Sequence, residues 1–442
     1  MTATPEVLAQ PRRGFQTFVV VWAGQLVSLI GSGLTGFALG VHVYQLTGST
    51  TLFALIALST TLPGIVLSPI AGALVDRWDR RHAMLLSDAG AAVCTLLLAI
   101  LLASGRLQLW QIYVLMAASS SFGALQWPAY SAATSLLVPK EQLGRAGGMV
   151  QMAEATGSIL SPVIAGTLVG AIGVAGVMMV DVATFLFAVT TLLLVRIPRP
   201  PATASGTESR GSLLREAGYG WTYIRARPGL LALLSFFAVT NFFGSMVGVL
   251  VQPMLLSFTT PAVMGRALSA AGLGMLVGSL TMSAWGGPKR KVFGILFFEF
   301  LSGLGMILAG LRASAPMIAV AGFLVLFTFP ITNACSQAIW QRKVAPDVQG
   351  RVFAVRRMIA WSAIPLAYLA AGPLADRVFG PLMAEGGALA DSVGRIIGVG
   401  QGRGIGLLFV AMGLLISLAS LLFALYPRLR RVELELPDAV QA

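Results

Sequence analysis

Three acidic residues lie seven or more residues inside otherwise apolar stretches of the sequence: Glu154, Asp181 and Glu299. A charge held inside a membrane costs several kcal/mol, so such carboxylates are candidates for function by default, here for proton coupling. Counted at about 1.5 Å per residue, each lies about 10 Å from the nearer end of its stretch, and none is central. We expect Glu154 to be the strongest candidate, although structural pairing explains it equally well. For Asp181 and Glu299 we favour a structural role.

Neutral polar side chains form stripes at spacings of three and four residues, which places each stripe on one face of a helix. Such a face contacts either a solute or a neighbouring helix, and the spacing does not distinguish the two. The members are Gln25, Ser28, Ser32, Thr35, Asn241, Ser245, Gln252, Asn333, Gln337, Gln341 and, beside the last of these, Trp340. Gln126 is a further candidate for lining a cavity.

The composition identifies the elements that carry these residues. Hydrophobic residues make up 56% of the 442 and charged residues only 11%, whereas soluble domains are about 25% charged. A spanning helix needs about 20 apolar residues, and twelve such runs are present, here called spans 1 to 12. They cover 15–44, 51–75, 82–104, 108–137, 146–173, 174–196, 229–257, 267–286, 292–312, 316–341, 357–380 and 404–426. We therefore predict an all-α polytopic membrane protein with twelve transmembrane helices in two six-helix repeats.

The distribution of basic residues predicts the orientation. Cytoplasmic loops carry an excess of Lys and Arg, and with both termini in the cytosol the inner segments hold 24 of the 30. The net charge of +13 therefore reports topology, and we expect no nucleic-acid partner. The predicted parts are a cytoplasmic tail (1–14), a six-helix bundle (15–196), a cytoplasmic linker (197–228), a second bundle (229–426) and a cytoplasmic tail (427–442).

The linker and the repeats have local signatures. From Ser212 the linker becomes amphipathic, which predicts a helix lying in the cytoplasmic interface; its apolar face holds Leu213, Leu214, Ala217, Trp221 and Ile224. The two halves echo each other after spans 4 and 10, where Gly144-Arg145 and Gly350-Arg351 stand in matching positions. Paired six-helix halves are typical of one large class of transporters.

Between spans 2 and 3 stands Gly72-Ala-Leu74-Val-Asp76-Arg77-Trp-Asp79-Arg80-Arg81. This sequence resembles the Gly-x-Leu-Ala-Asp-Arg-x-Gly-Arg-Arg loop of the major facilitator superfamily, in the same inter-helix position. Stretches beginning at Gln126, Asp181 and Gln349 look like its macrolide- and siderophore-efflux branch. The resemblance covers essentially the whole chain.

The resemblance implies a conformational latch. Asp76 ends span 2, where the helix dipole disfavours an anion unless another helix N-terminus or a cation is near. In the family this acid pairs with the start of span 11, here Arg356 and Arg357, while the cytoplasmic side is closed. Gly72, Arg77, Arg80 and Arg81 complete the latch, although ordinary positive-inside charges explain Arg80 and Arg81 as well.

The resemblance also implies that spans 1, 4, 7 and 10 line a central cavity, and the polar stripes lie on three of these four spans. Span 5 carries Gly157, Pro162 and Gly166, close to the kink motif of antiporters. Span 4 lacks the intramembrane Arg of many proton-coupled exporters, so proton coupling is expected by analogy.

A second match to the loop pattern, Gly372-Pro-Leu374-Ala-Asp376-Arg377, falls at the outer end of span 11. Because the family's latch is cytoplasmic, we do not expect this copy to form a second latch.

The leading functional prediction is a proton-coupled exporter of an amphipathic small molecule, such as a drug, a macrolide-like compound or a siderophore-like metabolite. An importer and, less well supported, a non-transporting sensor or scaffold remain alternatives. We expect no enzyme activity, because the only histidines, His42 and His82, are isolated. No cofactor and no metal is expected. The expected location is the cell membrane, with lipid and protons as partners, and the expected state is a monomer.

Overall fold

The computed structural model describes residues 11–139, 142–195, 197, 221–344 and 349–435. Within these ranges the chain is helical and forms no strand. The N-terminal tail to residue 10, most of the linker and the side chains of Gly72, Asp76 and Arg77 lie outside the described residues. The predicted all-α polytopic fold is confirmed.

The described residues of the first half form six helices, of which the last is by far the longest. They are α1 (Pro11–Thr47), α2 (Thr50–Arg77), α3 (Arg80–Ala103), α4 (Leu109–Gly123), α5 (Gln126–Leu137) and α6 (Leu143–Leu194).

The second half begins with long helices and ends with a mixture of long and short ones. The long helices are α7 (Pro228–Leu256), α8 (Pro261–Trp285), α9 (Lys291–Leu311), α10 (Ala315–Lys343) and α11 (Gln349–Pro373). A π-helical segment (Leu374–Phe379) follows α11 directly. After it come α12 (Gly380–Leu382), α13 (Gly394–Ile397), α14 (Arg403–Leu425), α15 (Pro427–Arg430) and α16 (Val432–Glu435).

Two interruptions relate these helices to the twelve predicted spans. Gly173 has φ 70° and ψ 175° inside α6, a conformation that glycine adopts readily, and it marks the predicted boundary of spans 5 and 6. Span 4 is divided between α4 and α5 at residues 124–125. In the described part of the chain, ten helices are long and apolar enough to cross a membrane. Twelve crossings require the kinked helix to count as two and the divided pair as one.

Contacts divide the chain into two compact units, and the division departs from the sequence halves in one place. The first unit contains Met1–His42 and Leu58–Thr203, and the second contains Val43–Ala57 and Ala204–Ala442. The end of α1 and the first turns of α2 therefore belong by contact to the second unit.

Each unit has a core of its own. In the first, Phe18, Met84 and Leu192 are fully buried in one cluster. In the second, Phe236 and Trp340 are at most 1% exposed. Residues 221–225 are helical, and Ile224 is buried in the second core. The remainder of the predicted interfacial helix lies outside the described residues.

Large apolar side chains also cover the outward surfaces of the helices. Leu194 is 78% exposed, Leu280 70% and Leu425 73%. Exposed apolar surface on this scale is unfavourable in water and is what lipid covers, since helices satisfy their own backbone hydrogen bonds.

Candidate functional site

The first unit contains a cavity of about 260 Å³. Its wall includes five predicted residues: Gln25, Ser28, Ser32, Gln126 and Glu154. Trp22, Trp127 and Tyr130 add aromatic surface. Three of the four residues in the polar stripe of span 1 therefore line this cavity, and Thr35 does not.

Asp88 is the buried carboxylate of this cavity, and the sequence analysis missed it. Its side chain lines the wall and is 4% exposed. Gln25 Nε2 donates a hydrogen bond of 2.9 Å to Asp88 Oδ2, and Gln126 Nε2 donates to Gln25 Oε1. The chain of hydrogen bonds joins α3, α1 and α5. Because α3 begins at Arg80, Asp88 lies about 12 Å along the helix, as deep as the acids that were predicted.

Asp181 has a different environment. It is 1% exposed, and Thr35 Oγ1 donates a hydrogen bond of 2.6 Å to its Oδ2. Thr95 Oγ1 lies 3.5 Å from the same oxygen, and Thr184 Oγ1 lies 3.3 Å from Oδ1. Hydroxyls from α1, α3 and α6 therefore enclose the carboxylate and tie these helices together. Neither Asp181 nor Thr35 lines the described cavity.

The second unit contains a larger cavity of about 570 Å³. Five predicted neutral residues lie on its wall, together with Glu299, Arg356 and Arg357; the five are Asn241, Ser245, Asn333, Gln337 and Trp340. Phe237, Phe329 and Trp361 supply further aromatic surface. The wall therefore mixes apolar and aromatic side chains with nearly as many polar or charged ones.

Arg356 is held in place by residues of α10. Its Nη1 donates to Gln337 Oε1 at 2.9 Å, and its Nη2 donates to Ser336 Oγ at 3.0 Å. The guanidinium carbon lies 5.2 Å from the ring centroid of Trp340, within range of a cation–π interaction. Arg357 lies similarly, 5.6 Å from the Trp361 ring.

The intramembrane acids have no ionic partner in the described chain. The ion pair found there joins His82 and Asp79 at 3.9 Å, and it involves neither Asp88, Asp181 nor Glu299. Uncompensated buried charge is costly, so these carboxyls are suited to carrying a proton or to accepting hydrogen bonds from hydroxyls and amides.

Several predicted residues lie away from both cavities. Gln341 is exposed, and Gln252 Oε1 is buried without a hydrogen-bond partner. In span 5, α6 keeps helical backbone angles through Pro162, and Gly173 is its one interior departure. Gly157 faces Leu29 of α1, whose side chain a Cβ would approach to 3.2 Å. Gly166 lies within the same continuous helix.

The loop between α2 and α3 has a structural role at its described positions. Asp79 Oδ1 accepts a hydrogen bond of 3.0 Å from Arg81 N, so the acid that replaces the expected glycine caps α3. Arg81 Nε donates to Leu192 O and its Nη2 to Leu193 O, both at 2.7 Å. Arg81 therefore satisfies carbonyls at the C-terminus of α6, where a cation is favourable.

The other residues of the predicted latch have no contacts described that would form it. Arg80 Nε is buried without a partner. The side chains of Gly72, Asp76 and Arg77 lie outside the described residues, so the predicted pairing of Asp76 with Arg356 and Arg357 stays a prediction.

Known proteins resemble the chain in sequence and in fold. Macrolide efflux protein A of Streptococcus pyogenes is 28% identical over 365 residues, which cover 82% of this chain and 90% of that protein. The enterobactin exporter EntS of Shigella boydii serotype 4 is 30% identical over 330 residues, covering 73% and 75%.

A solved structure of a bacterial homologue of the human lysosomal transporter Spinster, in an inward-facing and unoccupied conformation, superposes with a TM-score of 0.71. It is 14% identical, and the match covers 96% of this chain and 98% of that one. The family model described as Major Facilitator Superfamily matches residues 21–368. The chain belongs to the major facilitator superfamily of membrane transporters.

Proposed function

We propose that this transporter exports an amphipathic organic small molecule by alternating access, driven by proton entry. The observation that carries the proposal is the chemistry of the second cavity. Its wall combines aromatic rings with amides, hydroxyls and three charged residues, the acid Glu299 and the arginines Arg356 and Arg357. Both arginines have partners in the protein, because Arg356 is bound by Gln337 and Ser336 and Arg357 lies against the Trp361 ring. The relatives named as macrolide and enterobactin exporters support export.

The cavity wall favours large amphipathic solutes over small charged ones. Aromatic faces bind apolar and cationic surface, whereas a sugar phosphate needs several cations free to bind it. Arg356 is already engaged by Gln337 and Ser336. Pockets of this kind bind mainly through apolar contact, with a few polar groups fixing the orientation.

Asp88 is our first choice for the proton-coupling residue, with Glu154 second. Both line the first cavity, and a carboxyl carries a proton only where water or substrate can reach it. Asp88 is also held by Gln25. The Gln25 amide can donate to a charged carboxylate through its NH₂ group or, after rotating, accept from a protonated carboxyl through its oxygen. Asp181, enclosed by hydroxyls, serves instead as a brace between helices.

The remaining predictions form part of the proposal. We infer a cell-membrane location and, from the distribution of Lys and Arg in the sequence, two cytoplasmic termini. We also propose a monomer. The cytoplasmic latch through Asp76 is also retained as a proposal.

A cellular accumulation assay tests the function. Cells expressing the wild type, Asp88→Asn or the control Asp391→Asn, an exposed acid of the connection before α14, are loaded with macrolides, catechol siderophores and lipophilic dyes. We expect lower accumulation with the wild type and the control, and loss of the effect with Asp88→Asn or a protonophore. Higher accumulation would make the protein an importer. No movement of any compound would favour the sensor or scaffold alternative.

A further inference from the structure

The second copy of the loop pattern, Gly372 to Arg377, makes a contact that its position in the sequence does not suggest. Asp376 accepts hydrogen bonds from three consecutive residues at the start of α2. Its Oδ2 accepts from Ser49 Oγ at 3.0 Å and from Thr51 N and Thr51 Oγ1, both at 2.7 Å. Its Oδ1 accepts from Thr50 N at 3.1 Å. Four donors therefore converge on one carboxylate.

The start of α2 is a favourable place for this charge. The first N–H groups of a helix have no partner within the helix, and the aligned peptide dipoles make that end positive. A carboxylate accepting backbone N–H bonds forms shorter and stronger hydrogen bonds than a neutral acceptor. Asp376 thus caps α2 from a helix more than 300 residues away in the sequence.

Backbone geometry on both sides of Asp376 supports the same contact. Gly372, one turn earlier, faces Thr51 so closely that a Cβ would lie 3.0 Å from both its N and its Oγ1. Asp376 itself lies in the π-helical segment Leu374–Phe379. Such widened turns re-aim side chains and occur often at functional sites. Glycine permits the approach, and the π-helix directs the carboxylate.

The contact explains why part of the first half packs with the second unit. Val43–Ala57 belongs to the second unit, although the chain on both sides of it belongs to the first. The residues that Asp376 binds lie in the middle of this segment. The six-residue pattern at the end of α2, Gly72 to Arg77, thus recurs where α11 passes into the π-helical segment. The acid of this second copy, Asp376, binds the start of α2.

We propose that Asp376 is a releasable latch, which holds the α1–α2 connection to the end of α11 while the outer side is closed and lets go when that side opens. The inference rests on the proposed alternating access and orientation. It reverses our expectation that this copy of the pattern forms no latch. A static brace would use the same hydrogen bonds but would not separate during the cycle.

Distance measurements between spin labels test the latch. Labels at Leu46→Cys and Val378→Cys, both exposed side chains on the two sides of the contact, are introduced with Cys94→Ala and Cys335→Ala. In proteoliposomes we expect a major short-distance population and a minor long-distance one. Asp376→Asn replaces a charged acceptor by a neutral one, which weakens the contact. The ratio of the long-distance population to the short-distance population should therefore rise about tenfold. Asp391→Asn should leave it unchanged.

The latch would be overturned if Asp376→Asn had the same distance distribution as the wild type, including the case in which both proteins show a single short distance. If Asp376→Asn fails to fold, Gly372→Ala replaces it. Its added Cβ separates the same two backbones, so an unchanged distribution would again refute the proposal. Transport of the macrolide panel is measured in parallel. A distance shift without macrolide transport supports the latch and contradicts the proposed function. Macrolide export without a distance shift supports the proposed function and contradicts the latch.

Discussion

The Gln25 side-chain amide donates a 2.9 Å hydrogen bond to the carboxylate of Asp88 and thereby joins α1 to α3 at the wall of the first cavity. Gln25 is in turn bound by Gln126 of α5. A buried carboxyl whose only described side-chain donors are amides is stable when neutral and is held in place when charged. This arrangement is the basis for choosing Asp88 over the other intramembrane acids.

Asp88→Asn should abolish protonophore-sensitive transport while preserving the fold. Asparagine has nearly the same shape and can still accept from Gln25, but it cannot exchange a proton. We expect the initial rate of macrolide efflux to fall at least about a hundredfold, the lower end of what general acid–base groups contribute elsewhere. Melting temperature, measured on the purified protein, should change little. Efflux at the wild-type rate would exclude Asp88 as the coupling group.

Asp181→Ala should instead destabilise the protein. Removing the acceptor leaves the hydroxyls of Thr35 and Thr95 buried without their partner, at a cost of about 1–3 kcal/mol for each unsatisfied group. Thermal unfolding in detergent measures the loss. Glu154→Ala is the matched control, because that side chain is exposed to its cavity. Equal melting temperatures for the two variants would contradict the bracing role.

Arg81→Ala should lower stability through the end of α6. The variant loses two hydrogen bonds to Leu192 O and Leu193 O, together worth about 2–4 kcal/mol if each charged bond contributes 1.5–3 kcal/mol and the two are not fully additive. Arg81→Lys should recover only part, since an ammonium lacks the planar pair of donors. Proteolysis near residue 195 reports the fraying. If Lys restores stability completely, charge alone is sufficient and the two-bond cap is wrong.

Gln337 and Gln341 offer a matched pair for substrate contact. They share a helical stripe, yet Gln337 lines the second cavity and Gln341 is exposed outside it. Quenching of Trp340 and Trp361 fluorescence by a macrolide should weaken in Gln337→Ala and be unchanged in Gln341→Ala. We expect a loss of affinity of about two- to twelvefold, typical of one hydrogen bond. Equal affinities would place the substrate elsewhere.

Periodicity predicted the helices and most of the cavity residues, but it could not follow a stripe along a whole helix. Ten residues beyond Gln25, Thr35 has turned about 80° around α1 at 3.6 residues per turn, and it binds Asp181 instead of facing the cavity. Gln341 keeps the direction of Gln337 but lies near the end of α10 at Lys343.

The intramembrane acids were harder to rank as functional candidates. Hydropathy shows how deep a residue lies in an apolar stretch, but it does not show which side chains surround that residue in the fold. Asp88 lies six residues inside the predicted span and was not among the candidates, although it lies about as deep along α3, which begins at Arg80, as they do along their helices. The partners of Asp376 could not be inferred at all, because Ser49 and Thr51 are more than 300 residues away. In contrast, the boundary at Gly173 was visible, because glycines at helix breaks are a local signal.

Transport into proteoliposomes with an imposed pH gradient tests the central claim most directly. Purified protein is reconstituted, and labelled macrolide is added outside vesicles whose lumen is acidic relative to the bath. Molecules with their cytoplasmic face outward should then take up macrolide in exchange for protons. Proton-driven export predicts uptake that a protonophore and Asp88→Asn both abolish. Uptake that is insensitive to both, or that occurs only when the gradient is reversed, would contradict proton-driven export.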